Sequence, residues 1–248
     1  MVGKKIQIKP LTFLVVIISL LSFRPSLAQE KQSHWLIGRW DGMLEDPSRK
    51  DGLNRTLRVF DVTPDNKAPA FFARNPLDTT RAECLLEGAK IKVVTLSTKR
   101  VVELTREGDE SLVGTFTDEN GRQFPIRLTK MKPSSEFDGE WEGKAYTRPC
   151  ARTRSDVFFF RGNYQLTIRN SQITGKGVFY LDNTDGQHMF RWSIVTGQVE
   201  SDGVGVLVQT PLQAGGASGF LLGKFTGNEF LASQTRGLCA YDVKLNRK

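Results

Sequence analysis

The sequence predicts an all-β protein: two tandem antiparallel up-and-down β-barrel-like domains that follow a signal peptide. Three observations carry this. A Gly-x-Trp-x-Gly motif occurs twice, as Gly38-Arg39-Trp40-Asp41-Gly42 and, 101 positions on, as Gly139-Glu140-Trp141-Glu142-Gly143. From Trp35 onward, short runs of alternating polarity are broken by turn residues, with no long apolar stripe of helical period. A basic, then apolar, then small-residue stretch opens the chain.

That opening stretch reads as a secretory signal. Lys4, Lys5 and Lys9 precede an apolar run from Leu11 to Phe23, Arg24 and Pro25 break it, and Ser26-Leu27-Ala28 supplies a small-residue cleavage site. The expected segment is 1–28. The run is short for a bilayer span, which needs roughly 20 residues, so the mature chain is expected to be exported, periplasmic or secreted, with no integral membrane span. No Cys follows the cut site, which argues against a lipid anchor. Losing Lys4, Lys5, Lys9 and Arg24, and no acid, takes the formal net charge from +8 to +4. That is a mild bias rather than a nucleic-acid footprint.

The first domain is expected over 29–132. Trp35 to Leu44 is a strand and Asp46 to Asn54 a polar loop. Thr56 to Val62 alternates, and Ala70 to Ala73 is short and apolar. Strands follow at Lys90 to Leu96 and Arg100 to Thr105, and Ser111 to Thr117 forms a hairpin with Gln123 to Thr129 around Asn120-Gly121. Met131 to Glu136, with Pro133, reads as a linker. The second domain, 133–248, contributes eight strands: Glu140 to Tyr146, Asn163 to Arg169, Gln172 to Tyr180, Met189 to Val199, Val204 to Gln209, Gly219 to Phe225, Glu229 to Gln234 and Ala240 to Leu245. Eight short antiparallel strands can close into a barrel, which removes exposed sheet edges.

The duplication rests on three colinear matches. Besides the Trp motif, Leu112-Val113-Gly114-Thr115-Phe116 matches Leu221-Leu222-Gly223-Lys224-Phe225, and Ile126-Arg127-Leu128-Thr129-Lys130 matches Val243-Lys244-Leu245-Asn246-Arg247. In a strand, Trp40 and Trp141 point inward while their charged neighbours point outward. Gly38, Gly42, Gly139 and Gly143 let the strand bend and another backbone approach closely. These six are structural candidates.

Through these motifs the chain resembles the calycin group of lipocalins and avidins, whose first strand carries a Gly-x-Trp. It is more similar still to tandem lipocalin-like or avidin-like repeats of uncharacterised exported bacterial proteins, in which an alternating strand ends on a basic residue. The resemblance implies barrel architecture, with the Trp at the closed end. It implies no ligand, because neither a Thr-Asp-Tyr segment nor a C-terminal helix appears.

Three cysteines, Cys84, Cys150 and Cys239, belong to the mature chain. In an oxidising compartment, closure of the second domain would bring its first and last strands together and pair Cys150 with Cys239. Cys84 is then left as a buried inert thiol.

The inventory for chemistry is thin. His34 and His188 are isolated, and no His, Cys and carboxylate cluster has metal-ligand spacing. Asp182, Asp185 and Gly186 lack the spacing and closing Glu of a Ca²⁺ loop. Gly215-Gly216-Ala217-Ser218-Gly219 is not a nucleophile elbow. Glu140 and Glu142 share a strand face, and solvent exposure accounts for them more simply than a glycosidase pair. No catalytic, metal or cofactor residues are assigned. Trp192 and Tyr180, with Phe158, Phe160 and Phe190, are the candidates for lining a ligand cavity. The expected function is non-enzymatic, either holding a small apolar or amphipathic molecule in a barrel, or presenting filled barrels to a protein or other envelope component, with an enzyme of unrecognised type as the third alternative. Interior volume discriminates the two.

Overall fold

The computed structural model describes residues 34–47, 52–147, 159–182, 188–212, 219–236 and 239–248. The expected signal segment 1–28 lies outside them. Eight strands form the first sheet: β1 (Gly38–Leu44), β2 (Leu53–Val59), β3 (Lys67–Ala73), β4 (Arg81–Glu87), β5 (Lys90–Thr95), β6 (Val101–Glu107), β7 (Ser111–Thr117) and β8 (Gln123–Lys130). Eight more form the second: β9 (Gly139–Thr147), β10 (Phe159–Arg169), β11 (Gln172–Asp182), β12 (His188–Val199), β13 (Val204–Pro211), β14 (Gly219–Thr226), β15 (Glu229–Arg236) and β16 (Cys239–Arg247). Each strand pairs antiparallel with the next, and β8 returns to β1 and β16 to β9, so both sheets are closed barrels. No helix among the described residues is long and apolar enough to cross a membrane.

The all-β, two-barrel expectation holds, with one strand missed. β4 reads Arg-Ala-Glu-Cys-Leu-Leu-Glu and alternates exposed with buried throughout. Its inward residues begin with Ala82 and Cys84, both small, so the apolar signal is weak. Strand β2 starts at Leu53, inside the segment read as a polar loop, and ends at Val59 rather than Val62.

Each barrel has its own core. Leu57, Val93, Leu104 and Leu128 belong to one contiguous buried cluster, and Leu166, Ile168, Leu207 and Leu245 to another. The two tryptophans occupy equivalent places. Trp40 Nε1 donates to the Leu36 carbonyl at 2.9 Å, and Trp141 Nε1 donates to the Phe137 carbonyl at 2.9 Å, each four residues back. Each indole is fully buried, and its single donor is satisfied by the chain entering its own strand. Register completes the match: Trp40 stands opposite Lys130 and Trp141 opposite Arg247. The Lys130 ammonium lies 5.2 Å from the Trp40 ring centre and donates to the Trp35 carbonyl at 2.6 Å. Arg247 donates to the Asp138 carbonyl.

Two of the three sequence matches therefore join equivalent strands, the first and last of each barrel. The third does not. Leu112 to Phe116 lies on β7, the seventh strand of its barrel, whereas Leu221 to Phe225 lies on β14, the sixth of the other. The shared Leu-x-Gly-x-Phe reflects a similar local need. A Cβ on Gly114 would sit 1.8 Å from the Glu103 carbonyl oxygen, and one on Gly223 would sit 2.4 Å from the Phe230 ring.

The motif glycines are fixed by geometry. Gly38 and Gly139 adopt φ of 122° and 148°, where side chains are rarely accommodated. A Cβ on Gly42 would lie 1.8 Å from the Arg127 carbonyl oxygen, and one on Gly143 2.0 Å from that of Lys244. Backbone cannot swing aside as a side chain can. Gly42→Ala is expected to lower stability by about 1–3 kcal/mol, read as a shift in the urea midpoint; an unchanged midpoint would contradict the close approach.

The barrels are joined side by side, which the sequence reading did not anticipate. The outward faces of β2 and β3 meet those of β13 and β14. Phe71, Val206 and Leu222 are buried there, with Phe60, Val208 and Phe220 packed against them. The Phe60 and Phe220 rings are 4.3 Å apart, and those of Phe71 and Phe220 5.5 Å. Beside this apolar seam, Arg58 donates to Glu200 at 2.6 Å, with both side chains 3% exposed. Arg39 donates to Asp202 at 2.8 and 3.0 Å and also pairs with Asp41. Arg39 thus points outward, as its place beside Trp40 requires, into a joint rather than into water. The segment read as a linker is pinned along the same seam: the Ser134 amide donates to Val199 and the Ser201 amide to Lys132.

Candidate functional site

An open groove of about 780 Å³ crosses the outer face of β9, β10, β11, β12 and β16, and a smaller one of about 350 Å³ adjoins it at Lys144, Tyr146 and Arg161. Strand alternation puts the lining there. Trp141 and Ala145 point into the barrel, so Glu142, Lys144 and Tyr146 point out. On β12, buried Ser193 and Val195 likewise send Trp192 and Ile194 outward.

Register arranges these residues in two rows. One runs Lys244, Lys144, Asn163, Val178, Trp192 across five strands; the next runs Asn246, Glu142, Gln165, Lys176, Ile194. Trp192 is 45% exposed, Tyr146 49% and Ile194 47%. Half-exposed aromatics over a polar, lysine-bearing sheet offer both ring faces and charge. Lys244 is matched by Glu229 at 2.6 Å and Glu142 by Lys248 at 2.8 Å. Among the described residues, no ion pair forms at Lys144 or Lys176, so the groove is left net positive.

Beneath the groove floor the barrel is packed. Glycine at 162 and 177 makes room for the Phe179 ring, whose atoms lie 2.7 and 2.6 Å from where Cβ atoms would stand. That ring meets Tyr164 edge-on at 5.4 Å. The Tyr164 hydroxyl accepts from Gln209 Nε2 at 2.7 Å. Burial pushes this phenol well above its usual range, with the nearby Tyr241 adding to the shift; it serves as a fixed hydrogen-bonding group and does not ionise near neutrality.

The residues singled out in the sequence are distributed as follows. Trp40 and Trp141 are core plugs. Trp192 lies on the outer face, lining the groove rather than an interior cavity. Phe158 lies outside the described residues, as do the side chains of Tyr180, Phe160 and Phe190; in backbone register Tyr180 stands opposite Phe190, one pair along from Val178 and Trp192 on that face. Cys150 and the Cys239 side chain also lie outside them, and with them the expected disulfide. Cys84 is buried and unpaired in the first core. Burial, with the Glu83 charge behind it, pushes its thiol up to about 12, so it remains protonated and a poor nucleophile. Glu140 accepts from the Thr167 hydroxyl at 3.0 Å, and Glu142 is held by Lys248. Among the described residues, no group of three or more His, Cys, Asp or Glu converges.

The sequence reading missed the lysines of the groove and the arginines of the joint. Charges flanking a buried Trp read as solvated by default. Only the consecutive apolar run Val204-Gly205-Val206-Leu207-Val208, buried on both faces, signalled that something covers β13.

No protein-family model matches this chain, and no characterised protein matches its sequence. Among solved structures, it is similar to a protein of unknown function from the DUF3598 family of Nostoc punctiforme, with 12% identity and a TM-score of 0.27, covering 86% of this chain and 97% of that one. It is also similar to isotype 1 transferrin binding protein B from serogroup B Neisseria meningitidis, with 11% identity and a TM-score of 0.24. That match covers 85% of this chain, which spans 43% of the other.

Proposed function

We propose that this chain is an exported, non-enzymatic binding module of two calycin-type barrels, divided at 29–132 and 133–248 after a signal segment. Its contact surface is the outer groove of the second barrel, and the occupant that suits it is an acidic segment of a partner protein. The observation that carries this reading is the pairing of Trp192 and Tyr146, each about half exposed, with two lysines, Lys144 and Lys176, that no acid among the described residues neutralises. Large aromatics left in water on a sheet face cost solvation, and such residues are enriched where a partner covers them. Uncompensated lysines select an acidic partner and speed its encounter. Packing of both cores supports a contact surface over an enclosed ligand. A small apolar ligand would need interior volume, and the ring of Phe179 fills the space below the groove.

The test uses arrayed short Asp/Glu-rich peptides carrying one aromatic residue, with neutral Ser-substituted peptides as controls. Saturable binding to the acidic set is expected. Trp192→Ala is expected to weaken it by about tenfold, and Lys144→Glu with Lys176→Glu to abolish it. Equal binding of acidic and neutral peptides, or indifference to both variants, would remove the groove from the functional account. Native mass spectrometry of the protein from its own host supplies the contrary outcome: a retained small apolar molecule would move function into a barrel.

A further inference from the structure

Arg39, Arg55 and Arg58 are buried on the first two strands, at 3, 6 and 3% exposure. Arg39 and Arg58 meet carboxylates of the second barrel. Arg55 meets none. It shares the inward parity of Leu57 and Val59, both core residues, so its guanidinium projects inside the first barrel. It stands opposite Gly42, one inward place along from Trp40 towards the end where β2 begins and β3 ends. It rests on an aromatic floor, its Cζ 5.3 Å from the centre of the Phe116 ring, with Phe72 stacked on Phe116 from below at 6.1 Å. Its one described hydrogen bond is from Nη1 to the adjacent Asn54 carbonyl, 2.7 Å. A guanidinium carries five donors, so most remain available.

The neighbours make the imbalance worse. Arg74 follows directly on β3 and, by the register that pairs Thr56 with Ala73, comes level with Arg55. Arg100, in the β5–β6 connection at the same end, donates to Glu119 at 3.0 Å, while its buried Nε has no partner. Burial, followed by the charges of Arg74 and Arg100, lowers the Arg55 guanidinium to about 10. Among the described residues, these three cations meet one neutralising acid, Glu119, which leaves two positive charges around a buried, donor-rich centre. An unpaired buried charge is costly unless something completes it, and guanidinium forks match oxyanions in a bidentate manner.

We propose that the mouth of the first barrel is a phosphate-binding site, with Arg55 as the buried anchor on Phe116 and Arg74 and Arg100 as the rim. The ligand is a phosphate monoester or free phosphate: a compact dianion that satisfies the two uncompensated charges. The site is independent of the groove on the second barrel.

The experiment titrates inorganic phosphate, at constant ionic strength in chloride, by calorimetry and thermal shift. In parallel, phosphatidylcholine vesicles with and without phosphatidic acid test a lipid headgroup as the source. Saturable binding in the first arm identifies free phosphate; cosedimentation only with phosphatidic acid identifies the headgroup. Arg55→Gln is expected to reduce either by at least about tenfold. Because a core substitution can perturb folding, exposed Arg74→Gln is the second variant, expected to weaken binding about threefold with an unchanged melting temperature. Arg127→Gln, on the outer face of β8, is the control. The proposal is overturned if neither arm shows saturable binding, or if Arg74→Gln and a folded Arg55→Gln bind as tightly as the unsubstituted protein.

Discussion

Trp141→Ala is expected to unfold the second barrel at a urea concentration where the first is still protected. The indole is fully buried, packs edge-on against Phe225 at 4.9 Å and satisfies the Phe137 carbonyl. Truncation removes the largest side chain of this core and leaves a void bounded by rings that cannot collapse inward, because Phe225 is itself held by Phe137 and Phe230. A loss of about 3–5 kcal/mol follows, a large part of the stability of a domain this size. Trp141→Phe separates the contributions: it keeps most of the packing and forfeits the hydrogen bond, so about 1–2 kcal/mol is expected. Amide hydrogen exchange resolved by strand checks both. Protection should fall first in β9 to β16 for Trp141→Ala and in β1 to β8 for Trp40→Ala. Equal loss throughout for either variant would mean that the barrels do not have separate cores.

What could be read in the sequence follows the same division. Period-two alternation and the indole motif speak of an inside and an outside, and they mark strands where at least one large apolar side chain recurs on the inward face. Strand β4 escaped because Ala82 and Cys84 are small. The Trp motif was legible because its requirement is local: the indole hydrogen bond spans four residues and the glycine clash involves an adjacent strand. Contacts between barrels were not legible, since Arg58 and Glu200 stand 142 positions apart and nothing in either neighbourhood distinguishes a paired charge from a solvated one. The groove falls between the two. The sequence offers Trp192 as a lining residue for a ligand cavity, but a lone aromatic in an alternating strand does not state its face. Its opposite parity to Ser193 and Val195, a polar residue and an apolar one both buried, becomes decisive only once the barrel is closed.

The joint carries the second large effect. Arg58→Met is expected to destabilise the protein by about 3–5 kcal/mol, because it strands the Glu200 carboxylate, 2% exposed, in an apolar seam. Arg58→Met combined with Glu200→Met should recover most of that loss, since two apolar side chains of similar length extend the contact already made by Phe71, Val206 and Leu222. Arg58 Nε has no partner, so the native pair is itself incompletely satisfied, and the double variant is expected to match or exceed native stability. A double-mutant cycle by urea denaturation measures the coupling. If both single variants and the double variant lie within about 0.5 kcal/mol of the unsubstituted protein, the pair does not hold the barrels together. Acid is a poor substitute for these substitutions. Burial raises the Glu200 carboxyl, against the opposing pull of Arg58; its contribution is therefore present below its unfolded value and lost as pH rises through the folded one. For Asp202 burial acts in the same direction, but the Arg39 hydrogen bonds and the Val204 amide outweigh it and hold the carboxyl low; its contribution is present above its unfolded value and lost as pH falls through the folded one. The two acids of one seam respond to pH with opposite signs, so a pH titration blurs what the paired substitutions separate.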